Sequence, residues 1–98
     1  MLIRSQKKNI LVSIEESGIY IKEKNLIRLI GIGIPDNEHD FCIITNKFLL
    51  GSYSTKEKAI RVLDDIEDNY QYNMEAGSNG IRCPQYVFQM PKDEEVPA

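Results

Sequence analysis

The stretch from Ser54 to Tyr70 constrains this chain more than any other. Ser54-Thr55-Lys56-Glu57 has the Ser-x-x-Glu spacing of a capping box, in which the hydroxyl accepts from a backbone N–H near Glu57 and the carboxylate reaches back. Ala59, Val62, Leu63, Ile66 and Tyr70 then recur on one helical face, while Lys56, Lys58, Arg61, Asp64, Asp65, Glu67 and Asp68 supply the polar side. A helix with one apolar face needs an apolar surface to cover. The segments before and after it are expected to provide that surface as a sheet.

Those segments read as strands. Leu2 to Arg4, Asn9 to Ile14 and Ile19 to Lys22 are short, apolar and rich in β-branched residues. Leu26 to Ile34 reads as another strand, because Gly31, Gly33 and repeated isoleucines oppose a helix. In it Ile30, Ile32 and Ile34 share one face, and the two glycines leave the other open for a bend or close packing. Pro35 to Asp40 is a turn before Phe41 to Thr45, and Asn46-Lys47 reverses the chain into Phe48 to Tyr53. Such short connections favour antiparallel neighbours. Gly77 to Gly80 reads as a turn, and Tyr86 to Met90 supplies a last strand.

The expected fold is α+β, a strongly twisted, mainly antiparallel sheet or partly open barrel packed against the one main helix of the C-terminal half. Residues 1–90 are expected to form one compact domain and 91–98 a flexible acidic tail. With 42% hydrophobic and 28% charged residues the composition fits a globular chain. The net charge is −3, which gives no general attraction to nucleic acid or anionic membrane. Its distribution is uneven. Seven basic and six acidic residues precede Ser54, whereas five basic and nine acidic residues follow from it. No apolar run approaches a membrane span. Cys42 and Cys83 lie far apart with no secretory signal, so free thiols and a cytoplasmic location are expected.

Motifs that carry chemistry are weak. Gly31-Ile32-Gly33 lacks the third glycine and following helix of a dinucleotide site. Cys42 has His39 nearby in sequence, yet Phe-Cys-Ile-Ile reads as core packing rather than a nucleophile. Cys83 has only Arg82 as a local basic neighbour. Asp36, Glu38, His39 and Asp40 crowd one turn without zinc or calcium spacing. Asp64, Asp65 and Asp68 make an acidic helix surface, and paired acid–base catalysis would need such groups to share a cavity. Dispersed lysines and tyrosines give no specific nucleic-acid signal.

Met1-Leu2-Ile3-Arg4-Ser5-Gln6, Gly51-Ser52-Tyr53-Ser54-Thr55-Lys56-Glu57-Lys58-Ala59 and Val87-Phe88-Gln89-Met90-Pro91 together resemble a group of small proteins of low-GC Gram-positive bacteria and their phages or mobile elements. The resemblance implies a bacterial or phage setting and transfers no active site. The expected function is a non-catalytic protein-interaction or regulatory module without a cofactor. Asp64, Asp65, Asp68, Tyr72 and Tyr86 are its candidate contact residues. A protein partner is expected, or a homodimer whose joined strands protect a sheet edge. The alternative is a protein that sequesters a small ligand, and a Cys/His-dependent enzyme ranks third.

Overall fold

A computed structural model describes residues 1–14, 18–27, 33, 37–78 and 87–97, with residues 72–78 described through their backbone alone. The elements run β1 (Leu2–Arg4), β2 (Leu11–Ser13), β3 (Tyr20–Glu23), α1 (Lys24–Ile27), β4 (Phe41–Ile44), β5 (Leu49–Tyr53), α2 (Lys56–Ser78) and β6 (Val87–Gln89), followed by a 3-10 turn at Asp93–Glu95. The fold is mixed α/β, with two sheets ordered β2-β1-β6 and β3-β4-β5 and the long helix α2 packed against them. Pairing is antiparallel except between β1 and β6. That parallel pair sets Leu2, Ile3 and Arg4 beside Val87, Phe88 and Gln89.

Alternation along each strand explains which residues meet the helix. Ile3, Val12 and Phe88 stand in one row across the first sheet and turn inward. Ile43 and Tyr53 of the second sheet join them, with Ala59, Val62 and Ile66 of α2. The opposite face of β4 carries Cys42 and Ile44, which pack with Ile27 of α1 and Leu49 in a smaller cluster. The Phe-Cys-Ile-Ile run of β4 is therefore apolar throughout because side chains cover it on both faces. An irregularity between Ile43 and Ile44 lets Leu50 enter the main core while Leu49 joins the smaller cluster.

One side chain joins the sheets. Gln6, just beyond β1, donates from its backbone N–H to the Leu50 carbonyl at 2.7 Å. Its side-chain amide then imitates a strand residue along β5. Oε1 accepts from Ser52 N at 2.9 Å, and Nε2 donates to the Ser52 carbonyl at 3.1 Å and the Pro91 carbonyl at 3.0 Å. Gly51 makes room for this contact, since a Cβ there would lie 3.2 Å from Gln6 Cδ and 3.3 Å from Met90 Cε. The glycine that close packing requires is thus Gly51. Gly33 faces open space, and Gly31 lies outside the described residues.

Three expectations need correction. Leu26 and Ile27 are helical, because the chain leaves β3 through one turn of α1 that buries Ile27. The rest of the predicted glycine-bearing strand, apart from Gly33, lies outside the described residues. The predicted helix begins later and runs further, to Ser78, through Gly77 that reads as a turn in sequence. Its cap is Thr55, whose Oγ1 accepts from Lys58 N at 3.2 Å. Ser54 is otherwise engaged, since its N–H and hydroxyl both donate to Asp93 Oδ1 at 2.8 and 3.0 Å. Within residues 91–97, Asp93 makes those bonds, Val96 is buried, and the Pro91 carbonyl accepts from the Tyr53 hydroxyl at 2.8 Å.

Gln6→Ala removes three hydrogen bonds and leaves Ser52 backbone groups without partners, so it is expected to lower unfolding free energy by about 2–4 kcal/mol. Gln6→Glu keeps the shape but turns a carboxylate oxygen toward two carbonyls, and is expected to cost at least as much. Urea denaturation at pH 7 checks both. Wild-type midpoints for either variant would contradict this account of the joint.

Candidate functional site

A polar region and an apolar region of the surface carry organised side chains. The polar region begins at Glu38, whose side chain is 8% exposed. Lys7 Nζ lies 2.8 Å from its Oε1, and the Ser52 hydroxyl donates to Oε2 at 2.7 Å. Burial raises the proton affinity of this carboxyl, but the bonds from Lys7 and Ser52, with the Lys7 and His39 charges, outweigh it and lower the pKa below its ordinary 4.5. His39 N donates to Ser52 Oγ at 3.2 Å, and its ring faces Asp93 Oδ2 at 3.7 Å. Lys58 Nζ donates to the Asp93 carbonyl at 3.1 Å and lies 3.6 Å from Oδ2. Burial opposes ionisation of Asp93, while both Ser54 donors, Lys58 and His39 hold its pKa below the ordinary 3.8.

This network fastens loops rather than exposing a reactive group. Ser52 is buried with its proton committed to Glu38, and the Glu38 carboxylate is committed to Lys7 and Ser52. Cys42 is fully buried and its thiol points at the His39 carbonyl, 3.6 Å away, not at the imidazole. Burial, followed by the Glu38 charge, pushes that thiol up to about 11. Among the described residues, no three His, Cys, Asp or Glu side chains gather as a metal site needs. Cys83 and Asp36 lie outside the described residues.

The apolar region is a groove of about 400 Å³ between α2 and the residues that follow β2 and precede β3 at Ile14, Gly18 and Ile19. Ile14, Gly18 and Ile19 form one wall, with Leu63, Ile66 and Tyr70 forming the other. Among the described residues, exposed Glu67 is the charged side chain in this lining. Leu63 and Tyr70 are half-buried, whereas Ala59, Val62 and Ile66 complete the core. The apolar stripe of α2 is therefore wider than the surface it covers, and its flank forms the groove wall.

The acidic candidates are placed around this helix rather than in one pocket. Asp64, Asp65 and Asp68 are all exposed on α2. Asp64 and Asp68 stand one turn apart on one side, and Asp65 is rotated about 100° from Asp64. Tyr72 continues the α2 backbone, and Tyr86 lies outside the described residues. The sequence makes these polar positions conspicuous but does not bring Ile14, Ile19, Leu63 and Glu67 together, as the groove does. The detectable signal was the continuation of apolar spacing through Leu63 and Tyr70 beside Ile66. The missing one was the approach of Ile14, Gly18 and Ile19, which line the groove from a distant part of the chain.

Compared with protein-family models, curated proteins and solved structures, the chain matches none. Among the described residues, no helix is long and apolar enough to cross a membrane.

Two measurements follow from this chemistry. Carboxyls with lowered folded pKa values stabilise the fold above their unfolded pKa, and that stability is lost as pH falls through the folded values. Unfolding free energy is therefore expected to hold from pH 7 to about pH 5 and then decline. Glu38→Gln and Asp93→Asn should each lower stability at pH 7 and flatten the decline, which denaturation at several pH values checks. In a Cys83→Ser background, Cys42 should resist alkylation at pH 8, where a thiol near 11 is only about 0.1% thiolate even before burial slows access. Mass spectrometry of native and urea-unfolded samples should show rapid labelling only after unfolding.

Proposed function

We propose that this protein is a non-catalytic protein-interaction module that binds through the groove beside α2. One observation carries the reading: an open apolar groove bounded by half-buried Leu63 and Tyr70 and rimmed by Glu67. A fitting ligand is an apolar side chain, best an aromatic one, carried on a basic segment. The apolar walls supply contact energy by leaving water. Glu67, with the exposed Asp64 on the same helix, favours positive charge at the rim and steers the encounter. A bacterial or phage regulatory setting and a cytoplasmic location belong to this proposal.

The same volume falls within the range of small-molecule pockets, which is the support for the sequestering alternative. Such pockets fix a ligand with several convergent polar groups, and among the described residues of this lining Glu67 is the one charged group. The geometry therefore favours a protein side chain. A nucleophilic Cys42 is disfavoured by its burial and raised pKa.

Leu63→Glu places a carboxylate on the groove wall, whereas Leu11→Glu alters the exposed outer face of the first sheet. Affinity capture from cells that encode the protein should recover a partner with wild type and Leu11→Glu, and at least tenfold less with Leu63→Glu. Equal recovery by all three, or no enrichment over bare resin, contradicts the proposal.

A further inference from the structure

The β4–β5 turn carries the kind of group that the groove would take. Thr45 N donates to the Phe48 carbonyl at 2.9 Å, and Thr45 Oγ1 accepts from Lys47 N at 3.3 Å and from Phe48 N at 3.0 Å. These bonds hold a tight turn, at the end of which Phe48 is 43% exposed. Lys47 is exposed beside it. A rigid turn that presents an aromatic ring has little conformational entropy left to lose on binding. Phe48 lines a different cleft of its own chain, with Gln6, Leu49 and Leu50, so it does not fill its own groove.

We propose that the groove's occupant is the β4–β5 turn of a second copy of this chain, with Phe48 inserted between Leu63, Tyr70, Ile14 and Ile19 and Lys47 facing Glu67. This rests on the reading of the groove as a protein-binding surface. The volume suffices, since a cavity of about 150 Å³ accepts benzene and the groove offers about 400 Å³. Charge is complementary as well, a lysine beside the ring meeting a carboxylate at the rim. The other exposed apolar side chains fit less well. Leu11 and Val87 lie on the open outer face of a sheet, and Leu26 is aliphatic and shares a cleft with Lys22 and Lys56. Ile60 is aliphatic on α2 itself, and the Tyr20 hydroxyl is committed to Asn46 Oδ1.

The contact joins two different surfaces, so it is heterologous, and each added copy leaves one turn and one groove unused. Assembly therefore continues into short chains or closes into a ring.

Sedimentation velocity and native mass spectrometry of the full chain test this over a concentration series. Wild type should form dimers and larger species as concentration rises. Phe48→Asp and Leu63→Glu should each weaken association at least tenfold while keeping the wild-type circular dichroism spectrum. A mixture of the two variants should form a 1:1 dimer and stop there, because one keeps its groove and the other its ring. Lys47→Glu and Glu67→Lys should each weaken association and should recover it when mixed. A wild type that stays monomeric at about 500 µM, variants that assemble normally, or a mixture that stays monomeric would overturn the proposal. If wild type is monomeric while capture of another protein still depends on Leu63, the occupant is wrong and the interaction reading stands.

Discussion

The joint between the sheets depends on the amide of Gln6. A glutamine carries a donor and an acceptor in the same order as a peptide group, so it can pair with an exposed strand edge as another strand would. Here it completes the edge of β5 at Ser52 and reaches the Pro91 carbonyl with its remaining proton. Two segments far from it in sequence, at Ser52 and Pro91, converge on it, and neither could be paired there by a local turn. Gly51 is part of the same arrangement, since any side chain at that position would press on the amide and on Met90.

Once that joint is made, the rest of the architecture follows in order. The end of β5 feeds directly into α2, so fixing β5 fixes the start of the helix. Asp93 secures that start by engaging both donors of Ser54, which moves the cap to Thr55. The direction of α2 then decides which part of its apolar stripe meets the sheets. Ala59, Val62 and Ile66 enter the core, while Leu63 and Tyr70 reach the boundary and make the groove wall.

The α2 stripe and most strands were legible in the sequence because they rest on periodicity, which needs no knowledge of distant residues. The α+β class and the mainly antiparallel pairing follow from it. Pairings that cross the chain were not legible. Nothing near Ser54 shows that Asp93 will take its donors, and nothing near Gln6 shows that its amide will serve as a strand. The parallel partnership of β1 and β6 is likewise invisible to local turn rules. The groove was hidden for the same reason. Exposed acids such as Asp64, Asp65 and Asp68 are conspicuous in sequence, but a groove needs two walls, and its second wall comes from Ile14 and Ile19.

The protein thus pairs an interior devoted to fastening with a surface on which, in the proposed assembly, an apolar groove is matched by an aromatic ring on a hydrogen-bonded turn elsewhere on the same chain. Isotope-filtered nuclear Overhauser spectroscopy on a mixture of labelled and unlabelled protein addresses that match directly. The account predicts intermolecular cross-peaks between the Phe48 ring and the methyl groups of Leu63, Ile14 and Ile19. Intermolecular cross-peaks confined to Leu11 and Val87, or none at concentrations as high as about 500 µM, would contradict it.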